Sequence, residues 1–67
     1  MTIIEHWKEE YKADDVEQVR EREEGILNLL DTNIEAFLDW CVENGVEYNE
    51  KDMKVWRANF DANKYML

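Results

Sequence analysis

Residues 32–45 read TNIEAFLDWCVENG, and this stretch predicts a helix more clearly than any other part of the chain. Thr32 and Glu35 have the spacing of a capping box, and the Asn-Gly pair at the end supplies a stop. The apolar residues fall at i, i+3, i+4, i+7 and i+8, which is the spacing of a helix face that meets a core. These residues are Ile34, Phe37, Leu38, Cys41 and Val42. We therefore predict a helix over residues 32–44 with this stripe turned inward.

The opposite face of the same helix is acidic. Glu35, Asp39 and Glu43 stand at i, i+4 and i+8 with no basic residue among them. Like charges at this spacing destabilise a helix by about 0.2–0.5 kcal/mol per pair, so a sequence selected for stability alone would interleave lysine. We predict that this face binds a partner, together with carboxylates of the preceding helix and an indole beside the apolar stripe. The additional residues are Glu17, Glu21, Glu24 and Trp40.

Three more helix starts surround the central segment. Thr2 with Glu5 forms another capping box, Asp14 is placed as an N-cap, and Asn49 begins a fourth start of the same kind. Apolar residues at helical spacing follow each start, which predicts helices over about 2–12, 14–30 and 49–63. Gly25 lies inside the second helix, where glycine costs about 1 kcal/mol relative to alanine. We expect one helix that carries on through Gly25, with a kink there as the alternative.

The composition predicts one small folded domain over residues 1–67, an all-α compact bundle of about four short helices. A chain of 67 residues with 45% hydrophobic and 12% aromatic residues can bury one core. Cys41 is the single cysteine, which excludes an internal disulfide and predicts a small buried hydrophobe in a reducing compartment. Neither a signal-peptide pattern nor an apolar run of about 20 residues is present, so we expect a cytoplasmic protein without a membrane span.

No catalytic or cofactor motif can be found. His6 is the one histidine, and it lacks the Glu-x-x-His pattern of di-iron bundles. Gly25 and Gly45 belong to no phosphate-binding loop, and the acids do not form a calcium loop. We predict no metal, no cofactor and no enzymatic activity. The phase of Trp7 and Trp56 places both in the core, whereas Trp40 falls at a rim or an interface.

The net charge of the chain indicates which class of partner it can bind. The formal net charge is −9, from 17 acidic against 8 basic residues. This balance disfavours direct contact with nucleic acid or an anionic membrane, and it favours the basic surface of another protein. Carboxylates about 6 Å apart along a helix also space negative charge roughly as a nucleic-acid backbone does. In size and charge alone the chain resembles the inhibitors that bacteriophages make, and the leading hypothesis is a protein-binding module, in its narrowest form a DNA mimic.

The alternative hypothesis is a self-associating adaptor, in the simplest case a homodimer, held by an apolar seam. The seam would contain Ile26, Leu29, Leu30 and Trp40 and the C-terminal residues 65–67. A monomer in solution would exclude this alternative. The acidic face also has a structural explanation: Lys51, Lys54 and Arg57 could cross over and neutralise it.

Overall fold

The computed structural model describes residues 1–62 and consists of four helices joined by short connections. The helices are α1 (Ile3–Ala13), α2 (Val16–Thr32), α3 (Ile34–Glu43) and α4 (Glu50–Ala62). No strand occurs within these residues, which confirms the predicted all-α class and the order of the four helices. The Cα radius of gyration is 11.0 Å, close to the value of about 11 Å expected for a compact chain of this length. The predicted end of the last helix at residue 63 and the apolar residues 65–67 lie outside the described residues.

Local hydrogen bonds cap the N-termini of the first and the last helix. Thr2 Oγ1 accepts from the backbone N–H of Glu5, and Glu5 Oε1 accepts from the backbone N–H of Thr2, both at 3.1 Å. These bonds confirm the predicted capping box, and the bond from the Thr2 N–H lowers the pKa of Glu5. At the start of α4, Asn49 Oδ1 accepts from the backbone N–H groups of Lys51 and Asp52. The predicted cap at this position is therefore also confirmed.

The two internal helix starts each lie one residue later than predicted. Asp15, and not Asp14, caps α2 by accepting from a backbone N–H in its first turn at 2.8 Å. Asn33, and not Thr32, caps α3 by accepting from the backbone N–H of Ala36 at 3.2 Å. Thr32 remains the last residue of α2, so the predicted capping box of Thr32 with Glu35 is wrong. In both places two good capping residues are adjacent, and the first one completes the preceding helix: the Asp14 N–H donates to the Glu10 carbonyl, and the Thr32 hydroxyl donates to the Asn28 carbonyl.

Aromatic rings fill the centre of the bundle. Trp7 stacks between Trp40 and Trp56, with ring centroids 6.0 Å apart on each side. Phe37 packs against Trp56 at 6.2 Å, so α1, α3 and α4 meet through aromatic contacts. Trp7 and Trp56 are 1% and 0% exposed, which confirms their prediction as core residues. Cys41 is buried beside them, as predicted.

Gly25 lies inside a helix, whereas Gly45 ends one. Helix α2 runs without a break through Gly25, and a Cβ added there would meet no atom within 4 Å. The expectation of one continuous helix is confirmed, and no close helix contact requires the glycine. Gly45 has φ of 66°, and the N–H of Val46 donates to the carbonyl of Cys41 at 2.8 Å. This is the predicted stop at the end of α3.

Candidate protein-binding face

Helix α3 meets the core through a narrower face than the sequence predicts. Phe37 and Cys41 are buried, but Ile34, Leu38 and Val42 are 43%, 38% and 82% exposed. The expectation that all five residues face the core is wrong. Leu38 and Val42 each follow a buried residue by one position, a rotation of about 100° around the helix. The stacked aromatic rings already fill the space on the inner side, so these side chains remain outside.

The apolar row, defined as Ile34, Leu38 and Val42, runs beside a second row on the outer side of α3. This acidic row consists of Glu35, Asp39 and Glu43, and all of its members are exposed. Each acid follows a member of the apolar row by one position, and both rows repeat every four residues. The two rows therefore lie next to each other along the same helix.

No ion pair within residues 1–62 neutralises the acidic row. The arginines serve other partners: Arg57 pairs with Asp31 at 2.5 Å, and Arg22 pairs with Asp14 at 2.8 Å. Arg20 packs over the Phe60 ring, 4.4 Å from its centroid, and donates to the Phe60 carbonyl.

Lys51 and Lys54 make no ion pair with the acidic row in this part of the chain, so the structural explanation for the acidic face is not supported. The sequence also contains no lysine or arginine between Arg22 and Lys51. The acidic row therefore has no basic residue near it along the chain.

The acidic residues of α2 that are predicted to bind a partner lie on a different part of the surface. Glu17, Glu21 and Glu24 are exposed. Glu21 and Glu24 line an open groove of about 650 Å³ between α2 and α4, into which Arg57 also projects. No residue of α3 lines this groove. The acidic row thus makes no ion pair within residues 1–62, whereas part of the α2 set shares its groove with an arginine.

Trp40 is half-buried and belongs to a pocket beside α1. Its ring contacts the edge of His6, with centroids 5.0 Å apart. Trp40, His6 and Trp7 line a pocket of about 260 Å³ together with residues of α2, and no member of the acidic row lines it. Burial lowers the pKa of His6, against the opposing influence of Glu10. Trp40 therefore supports α3 from its inner side.

The seam residues of the alternative hypothesis are also partly covered. Ile26, Leu29, Leu30 and Trp40 are partly buried and pack against the core. The three other seam residues, 65–67, lie outside the described residues. Within residues 1–62 the most exposed large apolar side chain is instead Val42.

One important residue escapes sequence reasoning. Glu23 belongs to the charged half of α2, yet it is 0% exposed. Its carboxylate accepts from the Tyr11 hydroxyl at 2.5 Å and from Trp56 Nε1–H at 2.6 Å, which links α1, α2 and α4. Burial raises the pKa of Glu23, although both hydrogen bonds act in the opposite direction. A signal existed: Val19, Glu23 and Leu27 stand at i, i+4 and i+8 on one helix face, and both flanking residues are buried.

Searches of protein-family models, curated proteins and solved structures find nothing that matches this chain. Residues 1–62 contain no group of three or more His, Cys, Asp or Glu side chains arranged to hold a metal ion. Across the same residues, no helix combines the length and apolar character that crossing a membrane requires.

Proposed function

We propose that this chain is a non-enzymatic binding module that uses the acidic row to occupy a basic surface of a partner protein. The observation that carries the proposal is the exposure of Glu35, Asp39 and Glu43 without an ion pair inside residues 1–62. Ion pairs within residues 1–62 join arginines to Glu10, Asp14 and Asp31, and none of them involves the acidic row. Exposed carboxylates in such a row attract basic surfaces and accelerate association with them.

In its narrowest form the proposal concerns a partner whose basic surface also binds nucleic acid. The support is the repeat of negative charge along α3, because carboxylates four residues apart lie about 6 Å from each other. The proposal places the module in the cytoplasm, where the buried Cys41 thiol stays reduced. A self-associating adaptor is the competing function, and its predicted seam is partly covered by the core.

The test compares two charge-matched triple variants. The first neutralises the acidic row through Glu35→Gln, Asp39→Asn and Glu43→Gln. The control removes the same number of charges from exposed positions of α1 and α4, through Glu9→Gln, Glu50→Gln and Asp61→Asn. Wild type and both variants are immobilised and exposed to a bacterial lysate, and the bound proteins are eluted with rising salt or with duplex DNA.

We expect wild type and control to retain the same protein and the acidic-row variant to lose it. Elution by salt follows from screening of exposed charges. Elution by duplex DNA would support a nucleic-acid-binding partner. Equal capture by all three proteins would contradict the proposed function, because the acidic row would then contribute nothing beyond net charge.

A further inference from the structure

The apolar row is an unpartnered helix face. Ile34, Leu38 and Val42 remain 43%, 38% and 82% exposed, whereas nine other hydrophobic residues within residues 1–62 are buried in the core. Single exposed apolar residues are ordinary, but three at i, i+4 and i+8 form a continuous strip about 12 Å long. A strip of this shape matches the apolar seam of a second helix, whose own anchors repeat every three or four residues.

The acidic row beside the apolar strip determines which charge a second helix must carry to dock there. The acidic row runs parallel to the apolar row and one residue away from it, so any helix laid on the strip meets three carboxylates along its flank. A helix with lysine or arginine beside its apolar anchors would pack against the apolar row and be attracted by the acidic row. An acidic or neutral helix would be repelled or would leave the carboxylates partly desolvated without partners.

The acidic row also disfavours a homodimer in which a second copy of this chain docks on the apolar row. The formal charge of each copy is −9, so two copies joined through the apolar row would repel each other, most strongly in an antiparallel pair, where the two acidic rows lie on the same flank. No lysine or arginine lies between Arg22 and Lys51 to relieve that repulsion locally. Charge complementarity therefore selects a basic partner over a homodimer.

We infer that the outer side of α3 docks an amphipathic basic helix of its partner, with apolar anchors on Ile34, Leu38 and Val42 and basic residues on the acidic row. This inference rests on the proposed function, since it specifies what the basic surface is. The apolar row provides contact area, and the acidic row provides selectivity for basic helices and rapid encounter.

The test uses two synthetic peptides of identical composition. Both contain leucine and lysine in about 18 residues, long enough for helix formation on binding. In the amphipathic peptide the leucines share one helical face, and in the permuted peptide they are spread around the helix. Binding is measured by titration calorimetry at concentrations where each peptide is monomeric by sedimentation.

Two valine variants locate the contact. Val42→Ser alters the apolar row, and Val55→Ser makes the same change at an exposed position of α4, where the valine is 41% exposed. Both side chains lie outside the core, so the folded state is retained and can be checked by circular dichroism. We expect the amphipathic peptide to bind wild type at least about tenfold more tightly than the permuted peptide. Val42→Ser should weaken the amphipathic peptide about five- to tenfold, while Val55→Ser leaves its affinity unchanged.

Several results would overturn the inference. Equal affinity for both peptides, with both weakened by neutralising the acidic row, would reduce the interaction to charge and leave the proposed function intact. Equal weakening by Val42→Ser and Val55→Ser would place the contact elsewhere. A wild-type dimer that Val42→Ser dissociates would assign the apolar row to a second copy. If neither peptide binds and the lysate yields no charge-dependent partner, the proposed function fails as well.

Discussion

Glu23 and Asp39 lie on consecutive helices, and the protein treats the two carboxylates in opposite ways. Glu23 is fully buried and accepts two hydrogen bonds, from Tyr11 and Trp56. Asp39 is exposed in the middle of the acidic row, with no ion pair among residues 1–62. The interior therefore provides hydrogen-bond partners for a carboxylate that the sequence places at the surface, while the outer side of α3 leaves its carboxylates without ion pairs and its apolar row partly exposed. Stability explains the first arrangement but not the second.

Substitutions on the inner and outer sides of α3 should differ most in their effect on the free energy of unfolding. Phe37→Ala should reduce the free energy of unfolding by about 3–5 kcal/mol, because it opens a cavity among the stacked rings. Val42→Ala should change it by no more than about 0.5 kcal/mol, because that side chain is 82% exposed. Urea denaturation of both variants measures the difference. A comparable loss in both would mean that the apolar row belongs to the core.

The buried carboxylate can be removed or replaced by an amide. Glu23→Ala should cost about 2 kcal/mol in urea denaturation, because the Trp56 N–H loses its acceptor inside the core. Glu23→Gln should cost less, because its amide oxygen can accept from Trp56 and its amide nitrogen can donate to the Tyr11 oxygen. If both substitutions have the same effect, the hydrogen bonds of Glu23 contribute nothing beyond the volume of the side chain.

The pH dependence of stability tests the same site with a smaller expected change. Burial raises the pKa of Glu23 above its ordinary value of 4.5, so the folded protein holds this proton more tightly than the unfolded chain. The resulting stabilisation is fully present below the ordinary pKa and is lost as pH rises through the raised pKa. We expect the free energy of unfolding of wild type, minus that of Glu23→Gln, to fall from acidic toward neutral pH. A constant difference would show that Glu23 does not titrate differently on folding.

The centre of α2 can be stabilised without affecting α3. Gly25→Ala should raise the free energy of unfolding by about 0.5–1 kcal/mol, since alanine is the better helix former and its Cβ meets no atom within 4 Å. Gly45→Ala is the contrasting variant and should destabilise, because φ of 66° strains an L-residue. Thermal or urea unfolding distinguishes the two. Destabilisation by Gly25→Ala would reveal a need for glycine that the packing of α2 does not show.

A modest gain in stability separates folding from binding most directly. Asp39→Lys replaces two i,i+4 repulsions with attractions of similar size, so it should stabilise the protein by about 1 kcal/mol at low salt. The same change should abolish capture of the partner from lysate. Glu9→Lys on α1 serves as the control and should preserve capture. A variant that is more stable yet still captures the partner would remove Asp39 from the proposed surface.

Short-range chemistry explains what the sequence predicts well. The capping box of Thr2, the cap at Asn49 and the stop at Gly45 each depend on residues within one turn of a helix. The same residues mislead where two capping residues are adjacent, as at Asp14 and Asp15. Local preference does not distinguish such neighbours, because both side chains are good N-caps.

Long-range contacts explain what sequence reasoning misses. Glu23 is buried because Tyr11 and Trp56, which are far away along the chain, provide its donors. Periodicity indicates which residues of α3 share a face, but it does not tell how wide an arc of that face the other helices cover. For this reason Phe37 is correctly predicted as core, whereas Val42 is not. The acidic row is exposed, and its binding role remains a prediction.

The stack of indole rings gives the protein an optical signature of its own. Trp7 lies 6.0 Å from both Trp40 and Trp56, so the electronic transitions of the three rings couple and should produce a strong near-ultraviolet circular dichroism signal. Trp56 is 0% exposed and would report only on the intact core. Trp40 lies on the inner side of α3, away from the acidic row, so the signal of the stacked rings reports on folding and not on occupancy of the outer side. Unfolding can thus be followed in the unlabelled protein, whether or not a partner is bound.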